Sequence, residues 1–294
     1  MIIVIIGPTG IGKTKLSLAL AAHYNTEIIS GDSVQVYKGL DIGSAKIKGN
    51  EMKGIKHHLI DILEPTEDFS VALFQKIVRA KILDFEKRGL NPIIVGGTGL
   101  YIKSVLYDYN FSNSSRDKSL DELYKDLSNE DLHNILKEKD FASANNIHMN
   151  NRKRVLQAIS RSKDNKVSNN QNKDVPLYDF KIIGLTLDRV LLYEIINKRV
   201  DLMIEDGLVE EVKNLYDLGI KTNSVSAIGY KELYTYFDGE YSLEEAINKI
   251  KQHSRNLAKK QLTFFNNQFN VEWVNVDMSN FNNTIIEVIN LLDK

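Results

Sequence analysis

The sequence predicts an α/β protein, a doubly wound parallel sheet with a helical insertion. Three observations carry that prediction. Short apolar, β-branched runs recur along the chain with helical segments between them, a pattern that requires crossover connections and a parallel sheet buried on both faces. A glycine-rich loop joins the first of these runs to the first helical segment. One long polar stretch, residues 112–177, carries helical patterns but no strand.

Residues 2–6 read IIVII, the continuous apolar run of a strand covered on both sides. The segment 16–24, LSLALAAHY, reads as a helix. Residues 28–29 form the next strand, ending in Ser30-Gly31-Asp32-Ser33, and residues 93–95 another, ending in Gly96-Gly97-Thr98-Gly99-Leu100-Tyr101. A strand over 181–187 leads into a helix that Asp188 can cap, and 271–276 supplies the last strand. Inside the insertion, 120–136 and 152–162 have helical spacing, and an Asn/Lys-rich piece at 163–174 reads as a loop. The chain therefore divides into a core, 1–111 with 178–294, and an insertion, 112–177.

Composition supports one packed core and narrows the function classes. The 294 residues are 43% hydrophobic and 26% charged, with only 4 prolines and 17 glycines, so long low-complexity tracts are excluded. The absence of cysteine removes disulfides, thiolate zinc sites and cysteine nucleophiles, and fits a reducing compartment. The opening run MIIVII has no basic leader, and no stretch approaches the roughly 20 apolar residues of a spanning helix. The expectation is a cytoplasmic protein without a membrane partner. Nothing such as a long heptad seam calls for a dimer, so a monomer is expected. The net charge is −1, and any nucleic-acid role must rest on local basic patches.

Gly7-Pro8-Thr9-Gly10-Ile11-Gly12-Lys13-Thr14 satisfies G-x-x-x-x-G-K-[ST] between a predicted strand and a predicted helix, the context that makes it a Walker A loop and the fold P-loop NTPase-like. The glycines let backbone N–H groups converge on a phosphate, and the helix N-terminus adds partial positive charge. Lys13 supplies a point charge for the outer phosphate oxygens, and the Thr14 hydroxyl is placed to ligate Mg²⁺. Alone, the loop suggests a nucleoside triphosphate such as ATP. No guanine-reading N-K-x-D follows, which argues against a GTPase.

Such sites need a carboxylate at a strand end. Residues 93–95 are followed by glycines, so Asp32 is the candidate. Asp32-Ser33-Val34-Gln35-Val36-Tyr37 gathers a carboxylate, a hydroxyl, an amide and a phenol, and the Gln35 amide can pair with an adenine edge. Asp32 could equally cap a turn. Thr98 could hydrogen-bond a phosphate or a substrate atom, or belong to an ordinary βα turn. A small-molecule or nucleotide kinase, and an RNA-binding protein with a nucleotide switch, remain alternatives on these residues alone. His57 and His58 are adjacent and point apart, a poor arrangement for a metal. Trp273 reads as core, and the Tyr-rich stretch 230–241 as helix packing.

Eight stretches resemble the tRNA dimethylallyltransferase family, the isopentenyltransferases, in the family's order. They are GPTGIGKT (7–14), DSVQVY (32–37), DIGSAK (41–46), HHLID (57–61), GGTGLY (96–101), NNRKRV (150–155), AIGYKEL (227–233) and RNLAKKQLTFF (255–265). The resemblance implies transfer of a dimethylallyl group from dimethylallyl diphosphate to the N6 amine of the adenosine 3′ of the anticodon, position 37 of tRNA. It implies that Asp32 is the general base, that Thr98 hydrogen-bonds at the reaction centre, and that residues 7–14, with Mg²⁺ at Thr14, hold the diphosphate. Asp32, Ser33, Val34, Gln35 and Thr98 would face the target nucleotide, and Asp32 need only be near its ordinary pKa to be ionised at neutral pH. The bacterial form is implied, since there is no cysteine for the zinc module of eukaryotic members.

Two basic stretches fall where this family grips tRNA. Residues 150–173 hold Arg152, Lys153, Arg154, Arg161, Lys163, Lys166 and Lys173 against Asp164, and residues 247–271 hold Lys249, Lys251, Arg255, Lys259 and Lys260 with no acid. The resemblance assigns Lys153, Arg154 and Arg255, and the insertion as a whole, to the anticodon stem-loop. The chain departs from the family pattern at Gln157, Ile159 and Ser160, where Arg, Leu and Glu are usual, and at Ser254, Lys260 and Phe264, where Thr, Arg and Trp are usual. Lysine keeps the charge at 260 without the planar fork of arginine.

Overall fold

The computed structural model describes residues 1–109, 111, 119–163 and 174–294. Its six strands are β1 (Ile2–Ile6), β2 (Ile28–Ser30), β3 (His57–His58), β4 (Ile93–Val95), β5 (Phe180–Thr186) and β6 (Glu272–Asn275). They form one sheet in the order β3-β2-β4-β1-β5-β6, every neighbouring pair parallel. Period-two alternation sorts β1 between two cores. Ile2, Val4 and Ile6 pack in one cluster, and Ile3 and Ile5 in another on the opposite face. This is why the run contains no polar residue: a strand with helices on both sides has no wet face.

The helices are α1 (Lys13–His23), α2 (Val71–Lys87), α3 (Gly99–Leu106), α4 (Ser119–Leu123), α5 (Asn129–Lys139), α6 (Phe141–Asn146), α7 (Arg152–Lys163), α8 (Arg189–Glu205), α9 (Leu208–Asp217), α10 (Tyr230–Phe237), α11 (Leu243–Gln268) and α12 (Phe281–Leu292). Their starts follow from capping chemistry. Ser70 Oγ accepts from Leu73 N at the head of α2, and Asp188 Oδ1 accepts from Val190 N and Leu191 N at the head of α8, the cap its position predicts. Ser242 and Glu245 close a reciprocal box at the head of α11. α2 then buries Phe74, Val78, Ile82 and Phe85, a stripe at helical spacing.

The chain forms two compact units, Met1–Tyr107 with Pro176–Lys294, and Asp108–Val175. The sequence places these boundaries at 111/112 and 177/178; in the structure Tyr107 and Pro176 pair in an antiparallel bridge, which holds both crossings in the larger unit. The smaller unit packs Leu120, Leu132, Leu136, Val155, Leu156 and Ile159 around its own core. The helical pattern at 120–136 is two helices, because Ser128 Oγ accepts from Asp131 N and starts α5 afresh. Asp164, Lys166 and Lys173, with the expected loop around them, lie outside the described residues.

Candidate active site

Because all strands run the same way, the segments after β1, β2 and β4 leave the sheet at one edge, and the order β2-β4-β1 makes them neighbours. A cavity of about 840 Å³ lies there. The three backbones approach closely. Gly31 N donates to Val95 O at 2.7 Å and Gly96 N to Ile5 O at 3.1 Å. A Cβ at Gly96 would overlap the Gly31 backbone, 2.8 Å from its Cα. Glycine stands where P-loop proteins often place an acid because the β2 segment already occupies that space.

The phosphate loop contributes Thr9, Gly10, Gly12, Lys13 and Thr14 to the wall. Gly7 and Pro8 stand behind it, their carbonyls accepting from Lys13 Nζ at 2.8 and 2.6 Å, and Ile11 is buried in the core. Two of the three ammonium donors are thereby committed, and Lys13 is fixed at the loop. Burial, with Arg199 next, lowers Lys13 to about 8, while Asp32 pulls the other way. Gly12 sits at φ 100, and a Cβ there would strike the Phe281 ring, 2.7 Å from Cζ.

Asp32 serves its turn and the cavity at once. Its Oδ1 accepts from Val34 N at 2.8 Å and Gln35 N at 3.3 Å, closing an Asx turn, which leaves Oδ2 outside the turn. Capping the turn therefore occupies one oxygen of this carboxylate and not both. Burial raises the Asp32 pKa above its ordinary value, opposed by the two N–H groups and Lys13. The ordinary value that would suffice for ionisation is thus not the one the structure favours, because desolvation outweighs the donors. Ser33 and Val34 line the same cavity. The Gln35 amide is tied internally: Nε2 donates to Ser44 O and Ala45 O at 3.3 and 3.4 Å, and Oε1 accepts from Ser30 Oγ at 2.9 Å. Thr98 heads α3 without capping it through its side chain, and also lines the cavity.

The cations thought available for nucleic acid are partly engaged. Arg152 donates to the carbonyls of Tyr124, Lys125 and Leu127 and braces the smaller unit. Lys251 pairs with Asp201 at 2.5 Å, an acid brought over from α8, and Arg255 donates to Asn197 Oδ1 at 2.5 Å. The structure does not bring Arg255 to the cavity wall. Lys153 and Arg154 are exposed on α7, Lys259 and Lys260 on α11, with Lys260 also on the cavity wall.

Residues 35–268 match the family model described as IPP transferase, and residues 1–63 the model described as isopentenyl transferase. The chain belongs to the IPP transferase family. Among relatives, the tRNA dimethylallyltransferase of Bacillus pumilus is 53% identical over 281 residues, covering 92% of this chain and 88% of its own. That of Anoxybacillus flavithermus is 48% identical over 298 residues, covering 99% and 96%. Among solved structures, the tRNA delta(2)-isopentenylpyrophosphate transferase of Staphylococcus epidermidis shares 45% identity, with a TM-score of 0.75 over 99% of this chain and 98% of its own. A eukaryotic dimethylallyltransferase described as acting on tRNA has a TM-score of 0.80 at 25% identity, over 98% and 77%.

This member of the IPP transferase family holds further site residues that sequence reasoning missed. Arg199 of α8 lines the cavity, packs its stem against Gly10, lowers Lys13, and has a buried Nε with no hydrogen-bond partner among the described residues. The available signal was an arginine on the apolar stripe of α8, beside Ile196 and Val200. On α11, Gln261 Nε2 donates to Gly97 O at 3.1 Å, and the Phe264 ring fills the space a side chain at 99 would need. His57, in β3, also lines the cavity, with Nδ1 2.9 Å from Ile55 O. Among the described residues no helix is long and apolar enough to cross a membrane, and no group of three His, Asp or Glu could hold a metal ion by itself.

Proposed function

We infer that this chain is a tRNA dimethylallyltransferase, moving a dimethylallyl group from dimethylallyl diphosphate to N6 of adenosine-37. The observation that carries this reading is one cavity in which a phosphate loop, the half-buried Asp32 carboxylate and the glycine-rich turn at 96–99 meet, in a chain whose relatives bear that name. The family model describes IPP transfer and not phosphoryl transfer, which favours this reading over a kinase.

The chemistry assigns each group a task. The allylic C1–O bond breaks as the N6–C1 bond forms, diphosphate departs, and the amine proton passes to Asp32 Oδ2. Negative charge grows on the departing diphosphate, so the loop N–H groups, Lys13 and Arg199 stabilise the transition state more than the ground state. The raised pKa of Asp32 makes its carboxylate a stronger base. Thr98 offers a hydroxyl to the reacting groups. Apolar residues of the same cavity, among them Val200, Met203 and Ile228, suit the C5 chain.

The donor set fits Mg²⁺, a hard cation that takes few protein ligands and shares substrate phosphate oxygens. The Thr14 hydroxyl would hold it, and the ion would supply further charge neutralisation of the diphosphate. The test is purified protein with unmodified tRNA and labelled dimethylallyl diphosphate. Label should appear at adenosine-37 of tRNA in which two adenosines follow the anticodon; unlabelled tRNA would overturn the assignment.

A further inference from the structure

One carboxylate outside the reaction chemistry is bonded four times. Glu211 of α9 accepts from Asp41 N at 2.9 Å and Ile42 N at 2.7 Å through Oε2, and from Gly43 N at 3.1 Å and Tyr230 Oη at 2.7 Å through Oε1. Three successive backbone donors converge on it, as they would on an anion at a helix start. The Tyr230 ring is fully buried, and its hydroxyl end abuts Gly43, where a Cβ would stand 2.6–2.7 Å from its Cε2, Cζ and Oη. The turn at 41–45 is thus gripped from two sides by helices far along the chain.

What this turn does for the site is visible in the next bonds. Ser44 O and Ala45 O, just beyond the gripped residues, receive the Gln35 amide, and Ala45 holds φ 52, a conformation an alanine keeps only where its surroundings impose it. Gln35 accepts from Ser30 Oγ, which also receives Asp32 N at 3.4 Å. Gly43, Ser44 and Ala45 themselves line the cavity. A continuous series of hydrogen bonds therefore runs from Glu211 through the 41–45 turn and Gln35 to the turn that carries Asp32. None of its bonds involves residues 7–14.

We propose that Glu211, with Tyr230 behind it, is a positioning residue that sets the wall receiving the adenosine, without contact to the diphosphate. The proposal rests on the transferase reading above. Glu211→Gln puts an amide N–H where the carboxylate met N–H and O–H donors, so donors face donors and the 41–45 turn shifts. Gly43→Ala displaces the same turn from the Tyr230 side and leaves Glu211 untouched.

The experiment measures steady-state transfer and thermal midpoint for wild type and both variants. For each variant, KM for tRNA should rise at least about tenfold, roughly the effect of 1.4 kcal/mol. KM for dimethylallyl diphosphate should stay within about twofold. Should Glu211→Gln fail to fold, Gly43→Ala alone decides. Both KM values moving together, or a lowered midpoint with neither KM changed, would overturn the positioning role. An inactive wild type would instead overturn the transferase reading.

Discussion

At the scale of single residues, the site is built on two titrating groups that share one cavity and shift in opposite senses. Asp32 is raised by burial, and Lys13 is lowered to about 8 by burial and Arg199. In the proposed reaction each group acts in its charged form, so activity should have an acid limb from Asp32 and an alkaline limb from Lys13. The two separate by choice of parameter. In kcat/KM for dimethylallyl diphosphate, which reports the free enzyme, the rate should fall as pH rises through about 8. In kcat/KM for tRNA at saturating diphosphate, Lys13 is already paired with phosphate, so that limb moves to higher pH while the acid limb remains. Asp32→Asn should lower kcat by about 10²–10⁴ and abolish the acid limb. An unchanged acid limb in that variant would assign it to another group. Asp32 and Lys13 were legible because each lies within a short motif. Arg199 was not, because its meaning depends on α8 crossing to a loop nearly 190 positions earlier in the chain, and no local pattern encodes that approach. Glu211 was illegible for the same reason.

At the scale of elements, the sheet was readable where strands are long runs of β-branched residues and unreadable where they are not. β1 and β5 announce themselves, whereas β3 is two histidines on the sheet edge, formed only because Ile28 and Ile29 pair with them. The phosphate loop shows how an element depends on distant packing. Gly12 is needed for its φ of 100, but also because Phe281, the first residue of α12, occupies the space behind it. Gly12→Ala should therefore raise KM for dimethylallyl diphosphate by about tenfold or more, since a left-handed alanine alone carries roughly 1–2 kcal/mol of strain. Adding Phe281→Ala should recover the steric part and leave the backbone part. A double variant no better than Gly12→Ala would show that α12 does not buttress the loop. The measurement is KM for both substrates with the thermal midpoint as control.

At the scale of the whole molecule, a net charge of −1 offers no general attraction to a polyanion. Binding of tRNA must draw on a few exposed cations, and the structure separates these from cations committed elsewhere. Lys153, Arg154, Lys259 and Lys260 are exposed, while Arg152, Lys251 and Arg255 are engaged by Tyr124, Asp201 and Asn197 respectively. Counting charges along the chain could not make this division, because Asp201 and Asn197 belong to α8 and come to α11 only on folding. The division has a measurable consequence. Each phosphate contact adds about 0.7–0.9 to the slope of log affinity against log salt. Lys153→Gln and Arg154→Gln should each weaken tRNA binding and reduce that slope by about one, with the thermal midpoint unchanged. Arg152→Gln should do the reverse. Its guanidinium holds the chain between α4 and α5, so its loss should lower the midpoint while the salt slope stays constant. Fluorescence titration of tRNA between about 50 and 200 mM salt spans a range wide enough to read such slopes. A reduced slope for Arg152→Gln with an unaltered midpoint would show that this arginine meets phosphate, and that its bonds to the 124–127 carbonyls give way when tRNA binds.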